Sequence, residues 1–152
     1  MADEANPGNV VIRKLGSGDL SVLDRVADEV FDGPVDPHWA RVFLDDPRHH
    51  LFVAIEGEVV VGMVSAIDYV HPDKAPQLWI NEVGVGRDYR RRGIARRLLA
   101  AMLAHGRAIG CTEAWLGTEH DNLPARRLYE SQGCAPEPFV LYLFPLDPGP
   151  QR

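Results

Sequence analysis

Two cysteines, Cys111 and Cys134, occur in 152 residues. So few thiols exclude a disulfide-stapled scaffold and fit a reducing compartment. Both read as minor buried thiols, with one bridge between them left open. No cysteine–histidine spacing outlines a metal site. His49 and His50 are adjacent at a strand start, so their side chains point apart rather than share an ion. No apolar run approaches the roughly 18 residues of a spanning helix, so no membrane partner is expected. Met1 to Gly8 is acidic and polar, unlike a secretory or mitochondrial leader, and a cytoplasmic location is the expectation. Internal repeats and low-complexity stretches are absent. Net positive charge is absent too: the formal charge is -6 at pH 7, whereas a general nucleic-acid binder carries the opposite sign.

What is present is globular. Apolar residues make up 45% and charged residues 25%, enough for one domain with one real core. The expected organisation is a disordered tail over residues 1–8, a single domain over 9–146 and a flexible tail over 147–152. The positive charge is concentrated: seven of the fourteen arginines lie between Arg87 and Arg107. A basic site on an acidic protein fits an anionic cofactor combined with a cationic second substrate.

Asn9 to Leu15 reads as a strand, and Leu20 to Phe31 as a helix with apolar residues at three-to-four spacing. Asp32 to Pro37 is a structured loop, followed by a short helix from His38 to Leu44. His50 to Ile55 and Val59 to Ile67 form a hairpin about Glu56-Gly57. His71 to Pro76 is a surface loop before a strand from Gln77 to Val85. Ile94 to Ile109 is an amphipathic helix, interrupted by Gly106 and closed at Gly110. Thr112 to Gly117 gives a strand, Asn122 to Gly133 a short helix, and Phe139 to Phe144 a last apolar strand. Trp39, Trp79 and Trp115 read as core or pocket wall. The expected fold class is α/β, a mixed sheet of six or seven strands flanked by about four helices.

The stretch from Asn81 to Ala100 organises the rest. An apolar strand runs into a glycine- and arginine-rich turn that opens a helix, where backbone N–H groups without partners can hold an anion. The alternative is an ordinary strand-turn-helix with solvated arginines. Here Arg90-Arg-Arg-Gly-Ile-Ala95 resembles the Gln/Arg-x-x-Gly-x-Gly/Ala signature of the GNAT N-acetyltransferase superfamily. Asn122-Leu-Pro-Ala-Arg-Arg-Leu-Tyr-Glu-Ser-Gln-Gly133 is similar to that superfamily's later Asn-x-x-Ala-x-x-Leu-Tyr-x-x-x-Gly element. The resemblance spans residues 9–144. Within the superfamily, Ile80-Asn-Glu-Val-Gly-Val85, Thr118 to Pro124 and the run around Gly62 look most like the small aminoglycoside 3-N-acetyltransferases. Two departures stand out: Glu82 occupies the place of their Asp, and Gly33 to Arg48 is shorter and different.

The resemblance implies a GNAT fold, acetyl-CoA as cofactor, a cationic small-molecule amine, first of all an aminoglycoside, as acceptor, and a homodimer; another small amine, a polyamine or a protein N-terminus or lysine is the alternative acceptor. It implies that Val83, Gly84 and Val85 pair with the pantetheine arm. Arg90, Arg91, Arg92, Gly93, Ile94 and Ala95 would hold the pyrophosphate, largely through backbone amides. Asn122 and Ala125 join the cofactor site, although Asn122 before Leu-Pro also reads as a helix cap. Glu82, a carboxylate in an apolar strand, reads as the general base, as a binder of the acceptor ammonium, or as a residue on a solvated face. Tyr129 is implied as the acid for the leaving thiolate; orientation of the thioester and core packing are its alternatives. Glu119, His120 and Asp121 read as an acidic acceptor rim or as a plain loop, and Asp32, Asp36 and His38 as further acceptor residues. The opposing class is a non-catalytic acyl-CoA sensor. A solvent-facing Glu82 and a closed front loop would favour the sensor, while a pocket with convergent carboxylates would favour an enzyme.

Overall fold

Segments rich in branched apolar residues build four consecutive antiparallel strands. They are β1 (Val10–Leu15), β2 (His49–Glu56), β3 (Val59–His71) and β4 (Lys74–Val85). The computed structural model describes residues 9–147 and 149; the expected tail over 1–8 lies outside them, as do residues 148 and 150–152 of the C-terminal tail. β1 pairs Val10 with Glu56 and Leu15 with Leu51. β2 and β3 join at Gly57, whose φ of +63° suits the tight turn. The loop expected over 71–76 contracts to a turn, because His71 pairs with Lys74. β5 (Glu113–Trp115) is parallel to β4, giving the order β1-β2-β3-β4-β5.

Helices cover both faces. α2 (Ile94–Ala108) buries Ile94, Leu98, Leu99 and Met102 against Val61, Val64, Leu78 and Ile80 on one face. Gly106 is the reason α2 can lie so close to the sheet: a Cβ there would meet Leu78 at 2.9 Å. α3 (Leu123–Glu130) adds Leu128 and Tyr129 to the same side. The opposite face carries α1 (Pro37–Asp45) and a 3-10 turn (Leu20–Asp24), which pack Leu44 and Leu23, together with Val30 of the segment after the turn, on Leu51, Val53, Val60 and Met63.

Four expectations are corrected. Residues 20–31 do not form a helix. After the 3-10 turn, Ala27 N–H donates to the Val60 carbonyl (2.8 Å) and Val60 N–H to the Arg25 carbonyl (2.9 Å). Glu29 then adopts φ +67°, which no right-handed helix accommodates. Phe139 to Phe144 does not form a strand among the described residues; it runs unpaired, its side chains 63–80% exposed, between Pro138 and Pro145, which lack the N–H a ladder needs. Among the described residues the sheet therefore has five strands and the fold three α-helices rather than six or seven and about four. Cys134 is exposed and Cys111 intermediate, both free, so neither is a buried thiol.

Three register shifts interrupt the ladder, one between Tyr69 and His71 beside the β3–β4 turn and two that are bulges in its body. Ala54 pairs with Gly62 and Ile55 with Val60, leaving Val61 as an extra residue in β3. Ser65 pairs with Glu82 and Ala66 with Ile80, leaving Asn81 as the extra residue in β4. Side-chain parity inverts at each bulge. Leu78 and Ile80 face α2 before the second one; Val83 and Val85 face it afterwards. Gly84 consequently turns to the other face, where a Cβ would sit 2.1 Å from the Val30 carbonyl oxygen. Gly84→Ala should lower unfolding free energy by about 2–3 kcal/mol through overpacking, read as a reduced denaturant midpoint at unchanged slope.

Candidate active site

β4 and β5 pair only from Gln77–Glu113 to Trp79–Trp115. Beyond Trp79 the two strands part, leaving the outer edge of β4 from Ile80 to Val85 without a neighbouring strand. An open edge offers N–H and C=O groups to an extended amide-bearing ligand. Val83, Gly84 and Val85 stand on that edge.

The edge leads through Gly86 and a 3-10 turn (Arg87–Tyr89) into the start of α2. Arg91 and Gly93 hold φ of +62° and +75°, so the backbone curls before the helix begins. Gly93 is the N-cap, supplies no side chain to the first turn and has nothing within 4 Å of a notional Cβ. The amides opening α2 at Ile94 and Ala95 are therefore left to an anion or to water.

The arginines mostly serve the turn itself. Arg87 and Arg90 both bind Glu29, whose carboxyl is held below the ordinary glutamate range, chiefly by the Arg87 hydrogen bond. Arg90 Nε also donates to the Val85 carbonyl (3.3 Å). Arg92 pairs with Glu56 at 3.3 Å, and Arg97 donates to the Val10 carbonyl (3.0 Å). Arg91 makes no ion pair among the described residues.

The Asn81 bulge turns Glu82 away from α2, toward a cavity of about 390 Å³ beneath the 31–36 loop and α1. Asp32, Asp36, Ser65, Asn81 and Trp39 also line it. Glu82 is exposed at the rim. Partial burial, and then the charge of Asp32, push its carboxyl above the ordinary glutamate value. Asp36 doubles as the cap of α1, its Oδ1 accepting from the His38 (2.8 Å) and Trp39 (3.4 Å) amides. His38 does not line the cavity and stacks edge-on with Trp39.

Tyr129 is half-buried on the α2 side, and burial followed by the Glu119 charge pushes its phenol up, so it stays protonated. Glu119, His120 and Asp121 precede α3 and none lines the cavity; Glu119 acts on Tyr129 instead. Asn122 caps α3, its Oδ1 accepting from Ala125 N–H (3.3 Å) while its amide donates to Thr118 (3.2 Å). His49 stacks on Phe43 with centroids 5.0 Å apart, whereas His50 is buried and bonds Asp68 (2.6 Å) and His105 (3.1 Å). The adjacent histidines point apart as expected.

A model of the acetyltransferase (GNAT) family matches residues 21–134, three quarters of the chain. The chain belongs to the GNAT family. Human N-acetyltransferase 8 is 34% identical over 94 residues, 61% of this chain and 41% of that protein. Aminoglycoside N(6′)-acetyltransferase type 1 of Salmonella typhimurium is 29% identical over 86 residues, 54% of this chain and 59% of its own length. The chain thus spans about half the length of these relatives. AAC(6′)-Iy, solved in complex with the bisubstrate analog CoA-S-monomethyl-acetylneamine, superposes with a TM-score of 0.74 at 22% identity over 90% of this chain and 98% of its own. At that identity the likeness is one of GNAT fold.

Ser65, Asn81 and the Glu29 clamp were not legible as site residues. The available signal was Asn81 beside Glu82 in an otherwise apolar strand, where two adjacent polar residues break alternation. The raised Glu82 value sets a sign. The folded state binds that proton more tightly than the unfolded chain, so ionised Glu82 costs stability at neutral pH, and the cost fades as pH falls through the folded value. Glu82→Gln should raise the melting temperature at pH 7, with the gain vanishing in acid. Asp32→Asn should lower the Glu82 titration midpoint followed by carboxyl NMR.

Proposed function

We propose that the chain is an acetyl-CoA-dependent N-acetyltransferase acting by direct attack of a primary amine, with a cationic small molecule of the aminoglycoside type as acceptor. One observation carries this reading. The Asn81 bulge and the end of β4–β5 pairing set a carboxylate cavity on one face of a sheet opening, while the uncapped start of α2 lies on the other.

The open edge at Val83, Gly84 and Val85 would receive the pantetheine arm. The amides and charge of Arg90 to Ala95 would receive the pyrophosphate, with Asn122 and Ala125 on the far wall. When bound, acetyl-CoA supplies an acetyl thioester. An alkylammonium has a pKa of about 10.4, so freeing the amine at pH 7 costs about 4–5 kcal/mol without help. Glu82 takes that proton, directly or through water, and its raised value makes it a better base than an ordinary glutamate. Asp32 and Asp36, which line the same cavity, hold further positive charge of the acceptor. Tyr129 keeps a proton at its hydroxyl, available to a departing thiolate.

The 31–36 loop lines the cavity and leaves Glu82 beside Asp32, which favours an enzyme over a non-catalytic acyl-CoA sensor. The 3-N position rests on the sequence resemblance, whereas the Salmonella relative is named for N6′; the acetylated position in the product distinguishes them. We also infer a homodimer, supported by the uncovered apolar run from Phe139 to Phe144.

A thiol-release assay with acetyl-CoA against aminoglycosides, polyamines and lysine peptides tests the reading. Turnover with none would sink the enzyme; turnover confined to peptides would sink the acceptor. Glu82→Gln and Tyr129→Phe should each lower kcat, about 10²-fold for the base, with cofactor affinity nearly unchanged. In light scattering the mass should be twice that of one chain, falling to one chain in the double variant Leu141→Glu, Leu143→Glu.

A further inference from the structure

The sheet face that carries Glu82 continues beyond the cavity as a strip of aromatic rings. Trp79 lies just before the bulge in β4, and Trp115 opposes it in β5 with ring centroids 3.8 Å apart at 62°. Trp115 Nε1 donates to the Tyr69 hydroxyl (2.5 Å), which donates to Gln77 Oε1 (3.3 Å). Trp79 Nε1 donates to Asn81 Oδ1 (3.4 Å), and Asn81 lines the cavity beside Glu82. Two separate sets of hydrogen bonds thus fix the rings, joined to each other only by the Trp79–Trp115 ring contact, and Trp79 reaches the cavity wall through Asn81.

Core packing does not account for them. Neither buried cluster includes Tyr69, Trp79 or Trp115, and Trp115 is 46% exposed. α1 and the 31–36 loop cover this face over β2 and β3 but stop short of β5. Both indole N–H groups are occupied within the protein, so what the strip offers outward is ring face. Aromatic faces carry negative electrostatic potential. They attract C–H groups and rings polarised by an attached ammonium, and they do so best when held rigid.

We propose that Tyr69, Trp79 and Trp115 form an acceptor subsite that stacks a six-membered ring of the amine while Glu82, Asp32 and Asp36 take its ammonium groups. It rests on the reading that the cavity receives an amine. The ligand class is a ring-bearing cationic amine, saturated as in an aminosugar or aromatic as in an arylalkylamine. A linear polyamine satisfies the carboxylates but presents no ring to the strip.

The experiment compares kanamycin, phenethylamine and spermine as acceptors for the full-length chain, Trp115→Ala and Trp115→Phe. Trp115→Ala should reduce kcat/KM about tenfold with a ring-bearing acceptor, mainly through KM, and leave spermine within about twofold. Trp115→Phe should restore most of the loss. Kanamycin and phenethylamine separate sugar from aromatic ligands: whichever loses more names the ring the strip accepts. An equal loss on all three acceptors, or none on the ring-bearing pair, overturns the subsite. Calorimetric binding without cofactor keeps the two readings apart. Kanamycin or phenethylamine binding that weakens about tenfold in Trp115→Ala, with no turnover of any amine, overturns the catalytic reading and supports the subsite. Spermine turnover with no binding of either ring-bearing amine does the reverse.

Discussion

A single extra residue in β4 governs the molecule's chemistry. Were Asn81 paired like its neighbours, Glu82 would follow Leu78 and Ile80 into the α2-facing core, where an ionised carboxylate without partners is untenable. The bulge inverts the alternation, so Glu82 points into the cavity and Val83 and Val85 replace it in the core. The same inversion aims Gly84 at the Val30 carbonyl, where only a glycine fits. The placement of Glu82, core continuity and the docking of the 26–31 segment are thus one constraint seen from three sides.

The turn after β4 is stabilised by a matching device on that segment. Glu29 sits in the left-handed region, a conformation that costs a non-glycine residue roughly 1–2 kcal/mol. It is held there by charge-assisted bonds to Arg87 and Arg90, and Arg87 N–H reaches the Asp28 carbonyl (3.3 Å). Arg92 ties the other flank to Glu56. The arginine run is therefore chiefly scaffold for a backbone curl. The helix start that the curl presents keeps amides without a side-chain cap, a fixed geometry that a mobile side chain cannot supply.

Charge is partitioned across the sheet. Carboxylates at Asp32, Asp36 and Glu82 gather under α1, while the amide-rich, basic turn opens α2 on the opposite side. The opening between β4 and β5 is where the two fields meet, and β5 is short because the strands separate there. Tyr129, kept protonated by burial and by Glu119, stands on the α2 side of that opening.

What depends on neighbours in sequence was decided by the sequence alone. The strand-turn-helix from Asn81 to Ala100, the β2–β3 hairpin at Gly57, the apolar stripe of α2 and the Asn122 cap are all local, because periodicity, φ > 0 tolerance and capping act over a few residues. The anion-holding turn and a carboxylate near it were legible for the same reason. Other features required contacts distant in sequence. Residues 20–31 carry helical spacing, yet hydrogen bonds to Val60 and the Glu29 clamp win over propensity. Phe139 to Phe144 has the composition of a strand but runs exposed and unpaired among the described residues, flanked by prolines that lack a ladder N–H. Which face Glu82 occupies was settled by the β3–β4 register, since a one-residue slip reverses every side chain beyond it. The sequence determined that a carboxylate stands next to a glycine- and arginine-rich helix start; only the tertiary structure decided that it faces the cavity beneath α1.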